Sequence, residues 1–176
     1  MNDRWEDGTR PFERVERADI DALIERYEAE DPSPLHRCAQ VAADNGASTV
    51  VVEPGYIDLD FRSEFVAHYA KAHRPPPHST HRLHFFTAEL SGDDIVDLPA
   101  DPGYLGYVVV RPIRSGRVSR AMLAVPASLT NAVRTAVTET VSFFGQRLEV
   151  TGVPFAQQDA QLGACAHAAA WVCHTT

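Results

Sequence analysis

The sequence predicts an α+β fold, in which a mixed or antiparallel sheet is flanked by helices. Amphipathic helical patterns come first along the chain, and short strand-like segments rich in Val, Thr and aromatic residues follow. The order of predicted elements is helices, then mostly strands, then one final helix, which is typical of α+β proteins. A chain of 176 residues, 44% of them hydrophobic, is long enough to bury one good core.

Three helices are predicted in the first half of the chain. Apolar residues at helical spacing predict the first of them, at Ile20, Leu23, Ile24 and Tyr27. The second is predicted from Leu35 to Ala43, with Asn45-Gly46 as its end. Asp60 is expected to cap the third, whose apolar face carries Phe61, Phe65, Tyr69 and Ala72.

Turn residues separate the predicted strands, which are residues 48–53, 82–87, 104–111, 117–125, 133–144 and 147–150. Pro54-Gly55 is expected to stop the first strand, and Gly145-Gln146 to turn the chain between the last two. The strand at 104–111 is nearly all apolar, which predicts a central position in the sheet.

Charge and cysteine content restrict the class of protein. The formal net charge is −8, so the chain repels phosphate backbones and we expect no nucleic-acid partner. The first residues are charged and no long apolar segment occurs, which predicts neither a signal peptide nor a membrane span. Three cysteines do not form a disulfide framework, so a cytoplasmic location is expected.

Four histidines fall within twelve residues, at His73, His78, His81 and His84. A triple proline interrupts this segment, and a strand would place His81 and His84 on opposite faces. We therefore expect no metal and no other cofactor, and interpret His84 as a half-buried core residue. Four arginines surround one predicted turn and indicate a solvated hairpin end rather than an anion site: Arg111, Arg114, Arg117 and Arg120.

Candidate chemistry is concentrated near the C-terminus. Gln157, Gln158 and Asp159 precede a small-residue turn, and Cys165 follows at the start of a predicted alanine-rich helix. The N-terminus of a helix carries partial positive charge and stabilises a thiolate, while a nearby glutamine N–H can bind an oxyanion. The alternative interpretation of Cys165 is a buried core cysteine, since free cysteines are among the most buried residues.

This segment resembles the nucleophile region of papain-like cysteine peptidases, and of their bacteriocin-processing-peptidase-like group, through Gln157 or Gln158, Gly163, Cys165 and Trp171. The glutamine of the family lies six residues before the cysteine, where this sequence has Asp159, so Gln158 is the nearer candidate. The resemblance implies a thiol hydrolase or peptidase acting on peptides or proteins, with Cys165 as nucleophile and Gln158 as oxyanion donor. It also implies two parts: an α+β N-terminal domain at 1–150, and the start of a papain-like module at 151–176.

A thiol enzyme also needs a base. His167 and His174 lie on the predicted helix of Cys165 and point away from its sulfur, and the histidine of the family lies far downstream of the cysteine. Because only eleven residues follow Cys165, we expect the site to be incomplete and the 176-residue chain to be nearly inactive as a peptidase. The alternative function is a non-catalytic binding or interaction module in which Cys165 is structural.

Overall fold

One antiparallel sheet organises the protein. The computed structural model describes residues 13–16, 27, 33–91, 94, 97–113, 116–129, 131, 133, 135–157, 170 and 173. In this part of the chain seven strands are arranged in the order β1-β2-β3-β4-β5-β7-β6. Their bounds are β1 Glu13–Glu16, β2 Thr49–Tyr56, β3 Thr80–Phe86, β4 Tyr104–Val110, β5 Val118–Ala124, β6 Val137–Phe143 and β7 Gln146–Ala156.

The α-helices whose full extent lies within the described residues are α1 at Ser33–Asp44 and α2 at Leu59–Ala67. Every adjacent pair of strands is antiparallel, so the prediction of an α+β protein is confirmed. The predicted helix at 20–27 lies outside the described residues except for Tyr27. The position of β4 between β3 and β5 confirms the central place that its apolar sequence predicted.

Three local predictions were wrong. Pro54-Gly55 does not stop β2 but forms an irregularity within it, and Gly55 adopts a φ of 71° that glycine tolerates well. The cap of α2 is Asp58, whose side chain accepts a hydrogen bond from the backbone N–H of Phe61 at 3.1 Å. The turn between β6 and β7 consists of Phe144 and Gly145, both with positive φ, as a two-residue hairpin turn requires.

The sheet curls strongly, so that β6 faces β3. Four strand spacings of about 4.8 Å would separate these two strands by roughly 19 Å in a flat sheet, farther than an arginine side chain reaches. Nevertheless the Arg82 Nη2 donates to the backbone carbonyl of Ser142 at 2.8 Å. The ring of Phe143 lies 4.7 Å from that of His84. These contacts close the inner face of the sheet around its own side chains.

The two faces of the sheet bury different residues. On the outer face α1 covers an apolar cluster that includes Leu35, Ala39, Val50, Leu83, Phe85 and Val108. The inner face combines apolar clusters with buried charged and polar side chains. Alternation along β3 explains the difference, because Leu83 and Phe85 point outward while Arg82 and His84 point inward.

Candidate functional site

The residues that the sequence identifies as catalytic, Cys165 and Gln158, lie outside the described residues. The same holds for Asp159, His167 and His174. Of the other two cysteines, Cys38 is buried on α1 and Cys173 is exposed. Burial raises the pKa of the Cys38 thiol to about 12, so Cys38 is a poor nucleophile at neutral pH.

Gln157 marks the point at which the described chain leaves the sheet toward Cys165. Strand β7 continues through residues 151–156, and its last residue, Ala156, lies opposite Arg120 of β5. The next residue is held by two hydrogen bonds. The Gln157 side-chain oxygen accepts from the backbone N–H of Val118 at 3.0 Å, and its backbone oxygen accepts from Arg111 Nη2 at 3.1 Å. The side chain of Gln157 is therefore folded back onto the start of β5.

Arg111 connects this exit point to the rest of the fold. Its side chain is only 2% exposed, and its Nη1 donates to Glu64 of α2 at 3.0 Å. Besides Gln157, its Nη2 reaches the backbone oxygens of Gly116 and Val118. The predicted solvated hairpin end is wrong for Arg111 and for Arg117, which is 6% exposed.

The inner face of the sheet carries a second group of polar side chains, centred on His84. Its Nε2 lies 3.3 Å from a carboxylate oxygen of Glu53, and its Nδ1 lies 3.0 Å from the Tyr104 hydroxyl. An ionised carboxylate only accepts, so Nε2 carries the proton and Nδ1 accepts from the tyrosine. Arg82 Nε donates to the same Glu53 oxygen at 2.8 Å.

The protonation states of this group follow from burial and pairing. Desolvation lowers the pKa of His84 to about 4, against the opposing effect of its hydrogen bond to Glu53, so the imidazole is neutral at pH 7. Burial by itself would raise the pKa of Glu53, but the His84 hydrogen bond and the Arg82 charge outweigh it and lower the pKa. The side chain of His84 is 0% exposed, which makes it fully rather than half buried.

Tyr56 and Tyr107 extend the polar group toward the last strands. The Arg82 guanidinium lies 4.2 Å from the ring centroid of Tyr56, whose hydroxyl accepts from Arg120 at 3.2 Å. Arg120 also lies 3.5 Å from the fully buried Asp58, which accepts from Ser119 as well. The Tyr107 hydroxyl contacts both carboxylate oxygens of Glu139 on β6, at 2.9 and 3.1 Å. Burial raises the pKa of Tyr107.

The charged side chains of this inner group pair mainly with one another, although Asp58 Oδ1 and Arg120 Nε make no hydrogen bond within the described residues. Each of the three carboxylates at Glu53, Asp58 and Glu139 is bound by an arginine or a tyrosine of the chain itself. The imidazole of His84 is sealed from solvent, so no substrate atom can approach it. Among the described residues, no three side chains of the metal-ligating types come together.

Sequence analysis missed this inner group, although its signal was present. Arg82 and His84 are two residues apart on a predicted strand and therefore share a face. A charged and a titratable residue on one face of a strand rich in aromatic residues indicate a buried polar network. The sequence does not reveal the partners, because Glu53 and Tyr104 are brought there only by strand pairing.

In comparisons with known proteins, no family model matches the chain, and neither a curated protein nor a solved structure shows significant similarity to it. Within the described residues, no helix has both the length and the apolar character needed to cross a membrane.

Proposed function

We propose that this protein is a thiol hydrolase, with Cys165 as the nucleophile, and that the curled sheet is the rigid support of the segment that carries it. The observation on which the proposal depends is the sequence itself. A glutamine-bearing polar loop, a small-residue turn and a cysteine precede an alanine-rich run, an arrangement suited to a reactive thiolate.

Two features of the described residues support this proposal. The chain enters the Cys165 segment from a fixed position, because Gln157 is hydrogen-bonded to Val118 and Arg111. The Gln157 side chain is held against β5, which favours Gln158 as the oxyanion donor. The inner network, by contrast, pairs its charged groups mainly with one another, and its histidine, His84, is sealed from solvent.

The proposed reaction is acyl transfer through a thioester. The Cys165 sulfur attacks the carbonyl carbon of a peptide or related substrate, and the oxyanion accepts an N–H from Gln158. The carbon–nitrogen bond then breaks while a general acid protonates the leaving amine, and water hydrolyses the thioester. His84 is unsuited to the role of that acid, because it is buried and held by Glu53 and Tyr104.

Limited alkylation tests the proposal. With substoichiometric iodoacetamide at pH 7 and peptide mapping, we expect Cys165 to be labelled first, because a helix terminus lowers the pKa of a thiol. Cys173 provides the exposed reference and Cys38 the buried one within the same molecule. Labelling of Cys165 no faster than that of Cys173 would contradict a nucleophile at this position.

A non-catalytic interaction module is the second candidate function. It is favoured by Val153 and Phe155 on the outer side of β7, which are 39% and 41% exposed although both are large and apolar. In that case Cys165 is structural and should resist alkylation as Cys38 does, until urea unfolds the protein. The same labelling experiment therefore separates the two functions.

A further inference from the structure

We propose that the curled sheet holds a binding site for a small monocarboxylate at one end of its inner face, where the Arg120 guanidinium and the Tyr56 hydroxyl bind the carboxylate group. Every residue of this site belongs to the described part of the chain. The inference goes beyond the thiol hydrolase proposal and does not depend on it.

Arg120 has more hydrogen-bond donors than acceptors around it. A guanidinium carries five N–H groups, yet the Tyr56 hydroxyl, 3.2 Å from Nη2, is its one hydrogen-bond acceptor among the described residues. Nε is buried and lies 3.5 Å from Asp58 Oδ1, but these two atoms form no hydrogen bond. Unpaired donors of a largely buried charge are costly, so an oxyanion placed against the two terminal nitrogens is stabilised there.

Asp58 does not supply the missing acceptors. Its other oxygen, Oδ2, accepts from the backbone N–H of Phe61 at 3.1 Å and from the Ser119 hydroxyl at 2.7 Å. These two bonds hold the carboxylate between α2 and β5, and its side chain is fully buried. The side chain of Arg120, by contrast, is 21% exposed, so a ligand can reach it from solvent.

The surroundings of Arg120 suit a ligand with a short apolar tail. The guanidinium lies 6.0 Å from the ring centroid of Tyr107, and Arg120 lies opposite Ala156 of β7. Tyr56 and Val137 are partly buried and pack against the same apolar cluster as Tyr107. Because β6 pairs only with the earlier part of β7, none of the described strands lies beyond Ala156 at this end. Apolar walls with a few polar groups are typical of small-molecule sites, including those in the mouths of barrels.

The charges near Arg120 restrict the ligand to one negative charge. Asp58 lies beside Arg120, and Glu53 is paired with Arg82. Glu139 is a third carboxylate on the inner face, and its described hydrogen bonds come from a tyrosine hydroxyl rather than from an arginine. Three carboxylates against two arginines repel a second negative charge on the ligand. A monocarboxylate therefore fits this end of the sheet better than phosphate or a dicarboxylate.

An NMR titration with sodium propionate tests the site. The N–H signals of the arginine side chains are followed at pH 7, with chloride replaced by propionate at constant ionic strength. We expect the Nε–H signal of Arg120, identified by its loss in Arg120→Lys, to shift saturably. The dissociation constant should be on the order of 1–10 mM for so small a ligand. Propionamide has the same shape without the charge and should bind at least about tenfold more weakly.

Tyr56→Phe and Tyr104→Phe form a matched pair of variants. Each removes one hydroxyl from the inner face, but that of Tyr56 contacts Arg120 whereas that of Tyr104 contacts His84. We expect Tyr56→Phe to weaken propionate binding about three- to tenfold, as loss of one hydrogen bond does, and Tyr104→Phe to leave it unchanged. Arg120→Lys keeps the charge and removes the fork, so it should weaken binding by at least the same factor, as measured on the backbone amides of β5. Circular dichroism confirms that each variant is folded.

Several results would overturn the site. A shift of the Arg120 signal that does not saturate, or equal binding of propionate and propionamide, would show that no carboxylate is recognised there. Tighter binding of succinate than of propionate would contradict the restriction to one charge. Unchanged affinity in Tyr56→Phe would remove the tyrosine from the site. Equal weakening in Tyr56→Phe and Tyr104→Phe would trace the effect to general destabilisation of the inner face.

Discussion

His84 shows how a single buried residue connects the stability of this fold to pH. The neutral imidazole satisfies both of its nitrogens, donating to Glu53 and accepting from Tyr104. Protonation would force the Tyr104 hydroxyl to turn from donor to acceptor and would place a charge at a site with no exposed surface. Because burial lowers its pKa from 6.5 to about 4, the folded state disfavours the proton that the unfolded state accepts.

We therefore predict a loss of stability in mild acid that depends on His84. The unfolded chain binds more protons than the folded one between pH 6.5 and about 4, so the free energy of unfolding falls as pH falls through this window. The depressed pKa of Glu53 acts in the same direction, since its contribution is also lost on acidification. Full protonation of His84 would cost on the order of 3 kcal/mol.

Urea denaturation at pH 7.5, 6 and 5 checks this prediction for the unmodified protein and for His84→Gln. Glutamine keeps one donor and one acceptor without a titratable ring. The variant should be less stable than the unmodified protein at pH 7.5, and the difference should shrink steadily toward pH 5. Parallel pH profiles for the two proteins would show that His84 does not take up protons on unfolding.

At the scale of elements, β7 is the longest of the described strands, and its two halves have different neighbours in the sheet. Its first part pairs with β6 up to Gly152, opposite Val137, whereas its last residues pair with β5 alone. From the hairpin turn onward, the backbone N–H groups of the even-numbered residues of β7 point toward β6. Pro154 therefore has its nitrogen on the side where β6 has ended, and its missing N–H removes no ladder bond.

Gly152 allows β5 and β7 to approach each other closely. A Cβ atom at this position would lie 2.0 Å from the backbone oxygen of Leu123, a contact that only a backbone shift relieves. We predict that Gly152→Ala lowers the free energy of unfolding by about 2–3 kcal/mol, as expected for an overpacked site. Gly46→Ala is the matched control. Its Cβ would meet nothing within 4 Å, although its φ of 82° is also unfavourable for alanine.

The control should cost about 1 kcal/mol, which is typical of a non-glycine residue in the left-handed region. Urea unfolding at neutral pH measures both values. If the two variants lose equal stability, the close approach of β5 and β7 is not a constraint on the sheet.

The elements themselves were largely predictable, because they depend on local patterns. Helix α1, the central place of β4 and the pairing of β4 with β5 follow from apolar periodicity and turn residues. The sequence prediction put the cap of α2 at Asp60, two residues after the observed cap Asp58, because both aspartates are suitable caps by sequence. Their difference is tertiary: Asp58 is also bound by Ser119 and Arg120 from β5.

At the scale of the whole molecule, the curl of the sheet was not predictable. It depends on contacts between residues far apart in sequence, such as Arg82 with Ser142 and Tyr107 with Glu139. No local pattern in β3 or β6 identifies these partners. The candidate site differs from the curl in this respect. Cys165 and Gln158 were proposed from local sequence alone, and both lie outside the described residues.

The contact between Tyr107 and Glu139 should measure how strongly the curl is held. Tyr107 lies on β4 and Glu139 on β6, with β5 and β7 between them, so the hydrogen bond exists only in the curled sheet. A hydrogen bond to a charged acceptor contributes about 1.5–3 kcal/mol. We predict that Tyr107→Phe and Glu139→Gln each destabilise the protein. In a double-mutant cycle the pair should show a coupling free energy of about 1–2 kcal/mol at pH 7.

The free energy of unfolding should fall with urea concentration at the same slope in all four proteins, because the β6–β7 hairpin unfolds together with the central strands rather than before them. A coupling below about 0.5 kcal/mol would mean that apolar packing of Phe143 against His84 and Phe86 holds the curl without help from this hydrogen bond.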